Sequence, residues 1–214
     1  MSRIDHLYMP ENNMEEVYHS SNPIVSFVHT QRLKKIVEMV PSGKELRILD
    51  AGCGEGHLID ILHEKFPQNE YAGIDITDVA LEKSKVKCPY AMIRKMDLDQ
   101  INFPDEYFDV VVCTEVLEHI YEFKDVIHEL ERVLKKGGML IVTHPNEVLW
   151  TASRFLLRRK PIRVPDHVNA FTPGFMSRTV NLPLTRKINL PFVSISFGNL
   201  SLGSFMINFS CFSP

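Results

Sequence analysis

The sequence has few cysteines, and no two of them have the spacing of a zinc site or a redox motif. The four, Cys53, Cys88, Cys113 and Cys211, lie far apart in the chain. Standard zinc sites and thioredoxin-like motifs both use C-x-x-C pairs, so neither class of protein is indicated. Disulfide frameworks are typical of much shorter secreted chains. We therefore expect a reduced, cytoplasmic protein without disulfides.

Long apolar runs and a strong excess of one charge are absent as well. No uninterrupted apolar stretch approaches the roughly 20 residues that a membrane span needs. The polar N-terminus, Met-Ser-Arg-Ile-Asp-His, precedes no apolar core of a signal peptide. A net charge of -3 gives no reason to expect nucleic acid as a partner. The 214 residues are 44% hydrophobic and 24% charged, which allows a packed globular core.

What the sequence does contain is an alternation of β-rich runs with amphipathic helical segments. The spacing of apolar residues predicts helices over 23–40, 57–66, 78–87 and 125–134, and strands over 47–51, 70–75, 90–95, 107–113 and 139–143. Thr77 is the predicted N-cap of the third helix. Lys135-Lys136-Gly137-Gly138 is predicted to cap the end of the fourth. Strands that alternate with helices form βαβ units and a parallel sheet.

The alternation ends at Thr143. A helix is predicted over 149–158, then a stretch punctuated by prolines to Pro191, then two strands antiparallel to each other around 193–197 and 205–209. The predicted fold class is α/β, a Rossmann-like, doubly wound, mostly parallel sheet of about seven strands with helices on both faces and irregular C-terminal strands. We divide the chain into an N-terminal arm and helix that cap the substrate (1–45), a ligand-binding core (46–146), and a substrate-lid insertion with the C-terminal strands of the same domain (147–214).

A glycine-rich loop, Leu49-Asp50-Ala51-Gly52-Cys53-Gly54-Glu55-Gly56-His57, follows the first predicted strand. Ligands bind at such strand-to-helix turns in open α/β sheets, and glycines let the backbone turn sharply and approach a ligand closely. His57 occupies the place where a dinucleotide site has its last glycine. A carboxylate at Asp50 suits a cationic ligand end better than a pyrophosphate.

Two further carboxylates follow later strands. Asp75 closes the second predicted strand, where it can accept hydrogen bonds from both hydroxyls of a ribose. Asp97 follows the third strand and can receive an adenine amino group. The alternative interpretation is that the glycines only turn the chain and the aspartates cap helices.

In this order, the motifs resemble those of class I S-adenosylmethionine-dependent methyltransferases over about residues 45–145, including Phe-Asp-Val-Val in strand four and Leu-Lys-Lys-Gly-Gly before strand five. The resemblance implies S-adenosyl-L-methionine as the cofactor. It also implies a set of cofactor-binding residues: Asp50, Gly52, Cys53, Gly54, Gly56, Asp75, Ile76, Asp97, Leu98 and Glu115.

The exit of strand four reads Cys113-Thr114-Glu115-Val116-Leu117-Glu118-His119-Ile120. It resembles the small-molecule subgroup that includes the ubiquinone and menaquinone biosynthesis methyltransferases, and it departs from the Asn/Asp-Pro-Pro-aromatic motif of amino-directed enzymes. In some relatives an equivalent Glu-x-x-Glu-His binds a divalent metal. The interpretation preferred here puts Glu115 beneath the cofactor and lets Glu118 and His119 begin a helix, so no metal is predicted.

A hydroxyl acceptor needs a base whose pKa lies near the working pH, which makes histidine the first candidate. The candidate catalytic residues are His119, His144 at the end of strand five, and His167, in a segment that resembles one that closes over the substrate in relatives. The carboxyl ends of strands four and five face the cofactor, which favours His119 and His144. For each histidine a structural role is the alternative.

The acceptor is predicted to be a small molecule, with a hydroxyl of a quinone-, lipid- or sugar-like compound preferred over carbon and nitrogen. Residues 147–175 combine apolar and basic side chains, which indicates either a lid that contacts a membrane surface or, preferably, an amphipathic helix packed on the domain. Two rival functions are a nicotinamide-dependent oxidoreductase, disfavoured by His57 and by the lack of a Tyr-x-x-x-Lys motif, and a non-catalytic binding module. The oligomeric state is left open.

Overall fold

A computed structural model of the chain describes residues 23–145, 168–169, 171, 184–190, 193–199 and 206–208, with side chains over 29–145 and at 168, 169 and 171. The N-terminal arm before residue 23, the helix predicted over 149–158, His167 and most of the predicted lid over 147–175 lie outside the described residues.

The described strands form one sheet in the order β3-β2-β1-β4-β5-β7-β6-β8. The strands from β1 to β5 pair in parallel, and β7 is antiparallel to both β5 and β6. This arrangement confirms the Rossmann-like, mostly parallel sheet. Their bounds are β1 Arg47–Ala51, β2 Glu70–Asp75, β3 Met92–Lys95, β4 Phe108–Thr114, β5 Leu134–Pro145, β6 Leu184–Leu190, β7 Val193–Asn199 and β8 Met206–Asn208.

Helices cover both faces of this sheet. They are α1 Pro23–Met39, α2 His57–Lys65, α3 Asp78–Lys87 and α4 Phe123–Val133, with a 3-10 helix at Leu117–His119. Thr77 stands at the N-cap position of α3, as predicted, although its side chain makes no capping hydrogen bond.

The two faces carry separate hydrophobic cores. Residues of α1, α2 and α3 pack with Ile48 of β1 and with Val110 and Val112 of β4. Residues of α4 pack with Leu49 and with Val111 on the opposite face. Neighbouring residues of a strand point to opposite faces, so apolar runs such as Phe-Asp-Val-Val-Val-Cys in β4 fill both cores, as is typical of parallel sheets.

The prediction that Lys135-Lys136-Gly137-Gly138 caps the fourth helix is wrong. Helix α4 ends at Val133, and Leu134 is already extended, fully buried and paired with Phe108. The next pair in the ladder is Val110 with Met139, so the Lys-Lys-Gly-Gly segment forms a bulge opposite a single residue of β4. Gly137 has φ +80° within this bulge. Burial of the Leu134 side chain therefore turns the chain into the strand before the glycines are reached.

The C-terminal part contains one strand that the sequence did not predict. Strand β6 lies between Pro183 and Pro191, inside the stretch that is punctuated by prolines. These prolines flank the strand and leave its interior free of them, which a sheet tolerates. Strands β7 and β8 pair antiparallel to each other, as predicted.

The order of the strands reverses between β1 and β4. In doubly wound sheets, ligands bind at such a switch point, outside the carboxyl ends of the strands. The loop after β1 and the loop after β4 therefore form the expected location of a site. None of the helices in the described part of the chain is long and apolar enough to span a membrane.

Candidate active site

The glycine loop after β1 is anchored on the end of β2. The backbone N–H groups of Gly52 and Cys53 both donate to the carbonyl of Ile74, at 2.8 and 2.9 Å. The N–H of Gly56 donates back to the carbonyl of Cys53 at 2.9 Å, which closes the turn. The loop is thus held by main-chain hydrogen bonds at the edge of the sheet where the strand order reverses.

The three glycines of the loop have different surroundings. All three have positive φ, at +82° for Gly52, +52° for Gly54 and +80° for Gly56. An ideal Cβ on Gly52 would meet Val116, and one on Gly56 would meet Ser84 and Cys88. A Cβ on Gly54 would meet no atom within 4 Å in the described part of the chain. Gly52 and Gly56 therefore permit close packing, whereas Gly54 presents bare backbone to open space.

Asp75, at the end of β2, supports this open backbone. One carboxylate oxygen accepts the N–H of Gly54 at 2.9 Å, and the other accepts the N–H of Thr77 at 2.8 Å. The carboxylate is 8% exposed. An ionised carboxylate has about four lone-pair sites, so these two bonds leave acceptor capacity for a ligand.

Asp50, the last polar residue of β1, is a buried carboxyl. It is 2% exposed, and its Oδ1 atom has no hydrogen-bond partner among the residues that the structure describes. Burial, and secondarily the charge of Asp75, raises its pKa to about 7, although Arg32 opposes this shift. A buried carboxyl with an unpaired oxygen is costly, and a cationic ligand group would relieve that cost.

Arg32 is a site residue that the sequence analysis missed. Helix α1 buries it to 1% exposure, and its Nη1 atom lies 3.4 Å from Oε2 of Glu115. A signal was present, because Arg32 lies four residues from both Val28 and Ile36, on the apolar stripe of the helix. A charged residue on the buried face of a helix indicates that it has a polar partner within the fold.

Glu115, which follows β4, has a strained backbone that is held by β5. Its φ is +53°, a conformation that non-glycine residues seldom adopt. Its N–H donates to the carbonyl of Thr143 at 3.1 Å, and the Thr143 hydroxyl donates to its Oε1 at 2.8 Å. Such conformations are concentrated at functional sites, where surrounding contacts maintain them.

The remaining predicted cofactor residues lie around these groups. Asp97 follows β3, and its carboxylate lies near the N–H of Asp99 at 3.4 Å. Leu98 is buried in the core, Ile76 is half-buried after β2, and Cys53 is buried within the glycine loop. These positions all follow the carboxyl ends of β1, β2 and β3.

Glu118 and His119 lie in the 3-10 helix after β4. Glu118 is 1% exposed, and His119 is half-buried. Glu115, the third member of the possible metal set, is directed to Arg32 and Thr143 instead. Over the residues that the structure describes, no group of three or more His, Cys, Asp or Glu side chains is arranged to hold a metal ion.

His144 lies in the core rather than at an open surface. It is fully buried, its Nδ1 lies 3.0 Å from the carbonyl of Pro145, and its ring contacts Phe171 edge-on at 5.5 Å. Asn169 ties the chain near this ring to the exit of β4. Its amide donates to the carbonyls of Ile120 and Leu117, at 2.6 and 3.3 Å, and its N–H donates to the carbonyl of Glu118 at 3.0 Å.

The sequence is similar to those of known proteins. Residues 49–142 match the model of a methyltransferase domain family. A Mycolicibacterium smegmatis protein named a probable S-adenosylmethionine-dependent methyltransferase is 31% identical over 50% of this chain and 41% of its own length. A ubiquinone biosynthesis O-methyltransferase from Nitrosomonas europaea is 26% identical over 85% of this chain and 79% of its own. The chain thus spans less than half the length of the first relative, and about four fifths of the second.

Solved structures show the same fold. A protein from Pyrococcus horikoshii superposes with a TM-score of 0.69 at 18% identity, over 87% of this chain and 99% of its own. A SAM-dependent methyltransferase from Aquifex aeolicus superposes with a TM-score of 0.64 at 14% identity, over 82% and 97%.

The fold and the glycine loop define a Rossmann-like domain whose candidate ligand site lies at the switch point of the sheet. Over residues 49–142, the family match and the fold identify a methyltransferase domain of the class I, S-adenosylmethionine-dependent type. The rival nicotinamide-dependent oxidoreductase is not favoured by these comparisons.

Proposed function

We propose that the protein transfers the methyl group of S-adenosylmethionine to a small-molecule acceptor. The observation that carries the proposal is the combination of bare backbone at Gly54 with the buried carboxyls of Asp50 and Asp75 at the switch point. A pyrophosphate would be repelled by these carboxyls, whereas a nucleoside with a cationic sulfonium and amino group would be attracted.

The cofactor would extend across the carboxyl ends of β1, β2 and β3. The free acceptor capacity of Asp75 fits the two ribose hydroxyls, and Gly54 lets the nucleoside approach the backbone. Ile76, Asp97 and Leu98 are our candidates to frame the adenine. We assign these roles on the chemistry and burial of the residues described above.

The amino-acid end of the cofactor would lie between groups of both signs. Asp50 suits the amino group and the sulfonium. Arg32, the one buried Lys or Arg side chain among the described residues, suits the carboxylate. Glu115 would hold Arg32 in place from the exit of β4. The turn of the glycine loop beneath the cofactor would be formed by Gly52, Cys53 and Gly56.

When bound, the cofactor supplies an electrophilic methyl group on its sulfonium. The residues of the chain need only align the acceptor with that methyl, exclude water and remove a proton. His119 is the preferred base, because it is half-buried in the 3-10 helix at the cofactor edge. His144 is fully buried against Phe171 and fits a structural role better. His167 stays a candidate from the sequence.

We infer a hydroxyl acceptor on a quinone-, lipid- or sugar-like compound. Support comes from the Nitrosomonas europaea relative, whose name gives an O-methyltransferase of ubiquinone biosynthesis.

Calorimetric titration with S-adenosylhomocysteine tests the cofactor assignment directly. We expect one site per chain with a micromolar dissociation constant, and no heat on titration with NAD. Incubation with labelled S-adenosylmethionine and a metabolite extract would then identify the acceptor. Absence of S-adenosylhomocysteine binding at millimolar concentration would contradict the proposal.

A further inference from the structure

Glu55 is a buried carboxylate at the centre of the glycine loop. It lies between Gly54 and Gly56, and its side chain is only 7% exposed. Glutamates are seldom buried unless they are paired. The motif that identifies the loop requires only the glycines, so the role of this carboxylate has to be argued from its contacts.

The carboxylate joins the loop to two helices. Its Oε1 lies 2.8 Å from Nζ of Lys83 in α3, and its Oε2 lies 3.2 Å from Nε2 of His57, the first residue of α2. Burial acts to raise the pKa of Glu55, but the hydrogen bonds from Lys83 and His57 outweigh it, and the net pKa is lowered. Glu55 is therefore ionised at neutral pH, and its charge is held on the side of the loop that faces α3.

The two peptide units beside Glu55 are also held by hydrogen bonds. On one side, the N–H of Gly54 donates to Asp75, and on the other, the N–H of Gly56 donates to Cys53. Glycines have a large conformational freedom to lose on ordering. A side chain that is tied between them restricts that freedom before any ligand arrives.

We propose that the Glu55–Lys83 ion pair is a positioning clamp that preorganises the glycine loop for the nucleoside. The inference rests on the proposed function and extends it to residues that do not touch the ligand. Because a loop that is ordered in advance loses less entropy on binding, breaking the clamp lowers ligand affinity without removing any ligand contact.

The chain offers a matched control on the same helix. Lys85 pairs with Glu82 at 2.7 Å, but both side chains are more than half exposed. Exposed pairs of this kind contribute little to stability. Lys85→Met therefore removes a charge and a salt bridge from α3, as Lys83→Met does. It leaves the Glu55–Lys83 ion pair at the glycine loop intact.

The experiment is calorimetric titration of the full chain with S-adenosylhomocysteine. We expect Lys83→Met and Glu55→Gln each to raise the dissociation constant about five-fold, which is about 1 kcal/mol, the net contribution of one ordinary hydrogen bond. The double variant should bind no worse than the single variants, because both remove the same pair. Lys83→Arg should retain most of the affinity, and Lys85→Met all of it.

A second readout separates positioning from a general loss of stability. Hydrogen exchange of the Gly54 and Gly56 amides should accelerate in Lys83→Met while the amides of α4 are unchanged. Unchanged affinity in Lys83→Met, with binding by the unaltered protein, would overturn the clamp alone. No binding by the unaltered protein would overturn the proposed function and the clamp with it.

Discussion

The backbone of Gly52 lies against the side chain of Val116, so that an ideal Cβ on Gly52 would overlap Cγ2 of Val116. This contact joins the loop after β1 to the loop after β4 across the switch point of the sheet. It leaves no room for a side chain, and the φ of +82° at Gly52 disfavours one independently.

Gly52→Ala should therefore destabilise the protein by roughly 2–4 kcal/mol, from overpacking and left-handed strain together. Urea denaturation measures the loss. Adding Val116→Ala should restore the stability that is lost to overpacking. The loss that comes from the left-handed backbone should remain. A double variant no more stable than Gly52→Ala would show that the contact with Val116 is not the cause.

Gly54→Ala should affect ligand binding more than stability. Its ideal Cβ has no described atom within 4 Å, so we expect only the positive φ to cost stability, about 1 kcal/mol. If the nucleoside occupies the space above Gly54, the new methyl group should weaken S-adenosylhomocysteine binding at least ten-fold. Full affinity in calorimetry would mean that the ligand approaches the loop elsewhere.

Asp50 should make the stability of the ligand-free protein fall with rising pH. Burial and the charge of Asp75 raise its pKa from 3.8 to about 7. Between these values the unfolded chain has released the proton while the folded protein retains it, so the free energy of unfolding falls as pH rises and levels off above about pH 7. The linked change in the free energy of unfolding is on the order of 4 kcal/mol.

Asp50→Asn removes this titration. Compared with the unaltered protein, the variant should gain stability steadily from pH 5 to pH 7.5 in urea denaturation, and it should bind S-adenosylmethionine more weakly because the cationic end of the ligand loses its counter-charge. Parallel stability curves for the two proteins over that range would contradict the assignment.

Arg32→Met should destabilise the protein by about 2–4 kcal/mol, because it leaves Glu115 without its buried counter-charge. The side chain of Glu115 is 19% exposed, which sets the loss below that of a fully buried pair. Adding Glu115→Gln should restore part of the stability. The matched control is Lys35→Met, which breaks the surface pair with Glu38 on the same helix and should cost under about 0.5 kcal/mol. Equal losses for Arg32→Met and Lys35→Met in urea denaturation would argue against a buried pair.

The sequence predicted the parts of this fold that depend on local pattern. The ranges of β1, β2 and α3 follow from apolar runs and turn residues, and the structure has them where expected. The positions of Asp50, Gly54 and Asp75 follow from the same logic, because the carboxyl ends of parallel strands meet at one edge.

The parts that were missed depend on contacts between distant segments. Arg32 meets Glu115 only after α1 packs on the sheet, and Glu55 meets Lys83 only after α3 packs beside the loop. The early end of α4 was missed for a related reason, since the burial of Leu134 against β4 outweighs the local preference of the following glycines.

Asn169 anchors the chain beyond β5 to the exit of β4. The polypeptide leaves the sheet at Pro145, and the three hydrogen bonds of Asn169 bring it back to the exit of β4. Closing a flexible loop costs only about 0.6 kcal/mol more for each doubling of its length. An anchor of this kind lets the exit of β4 keep its geometry whatever length of chain precedes Asn169.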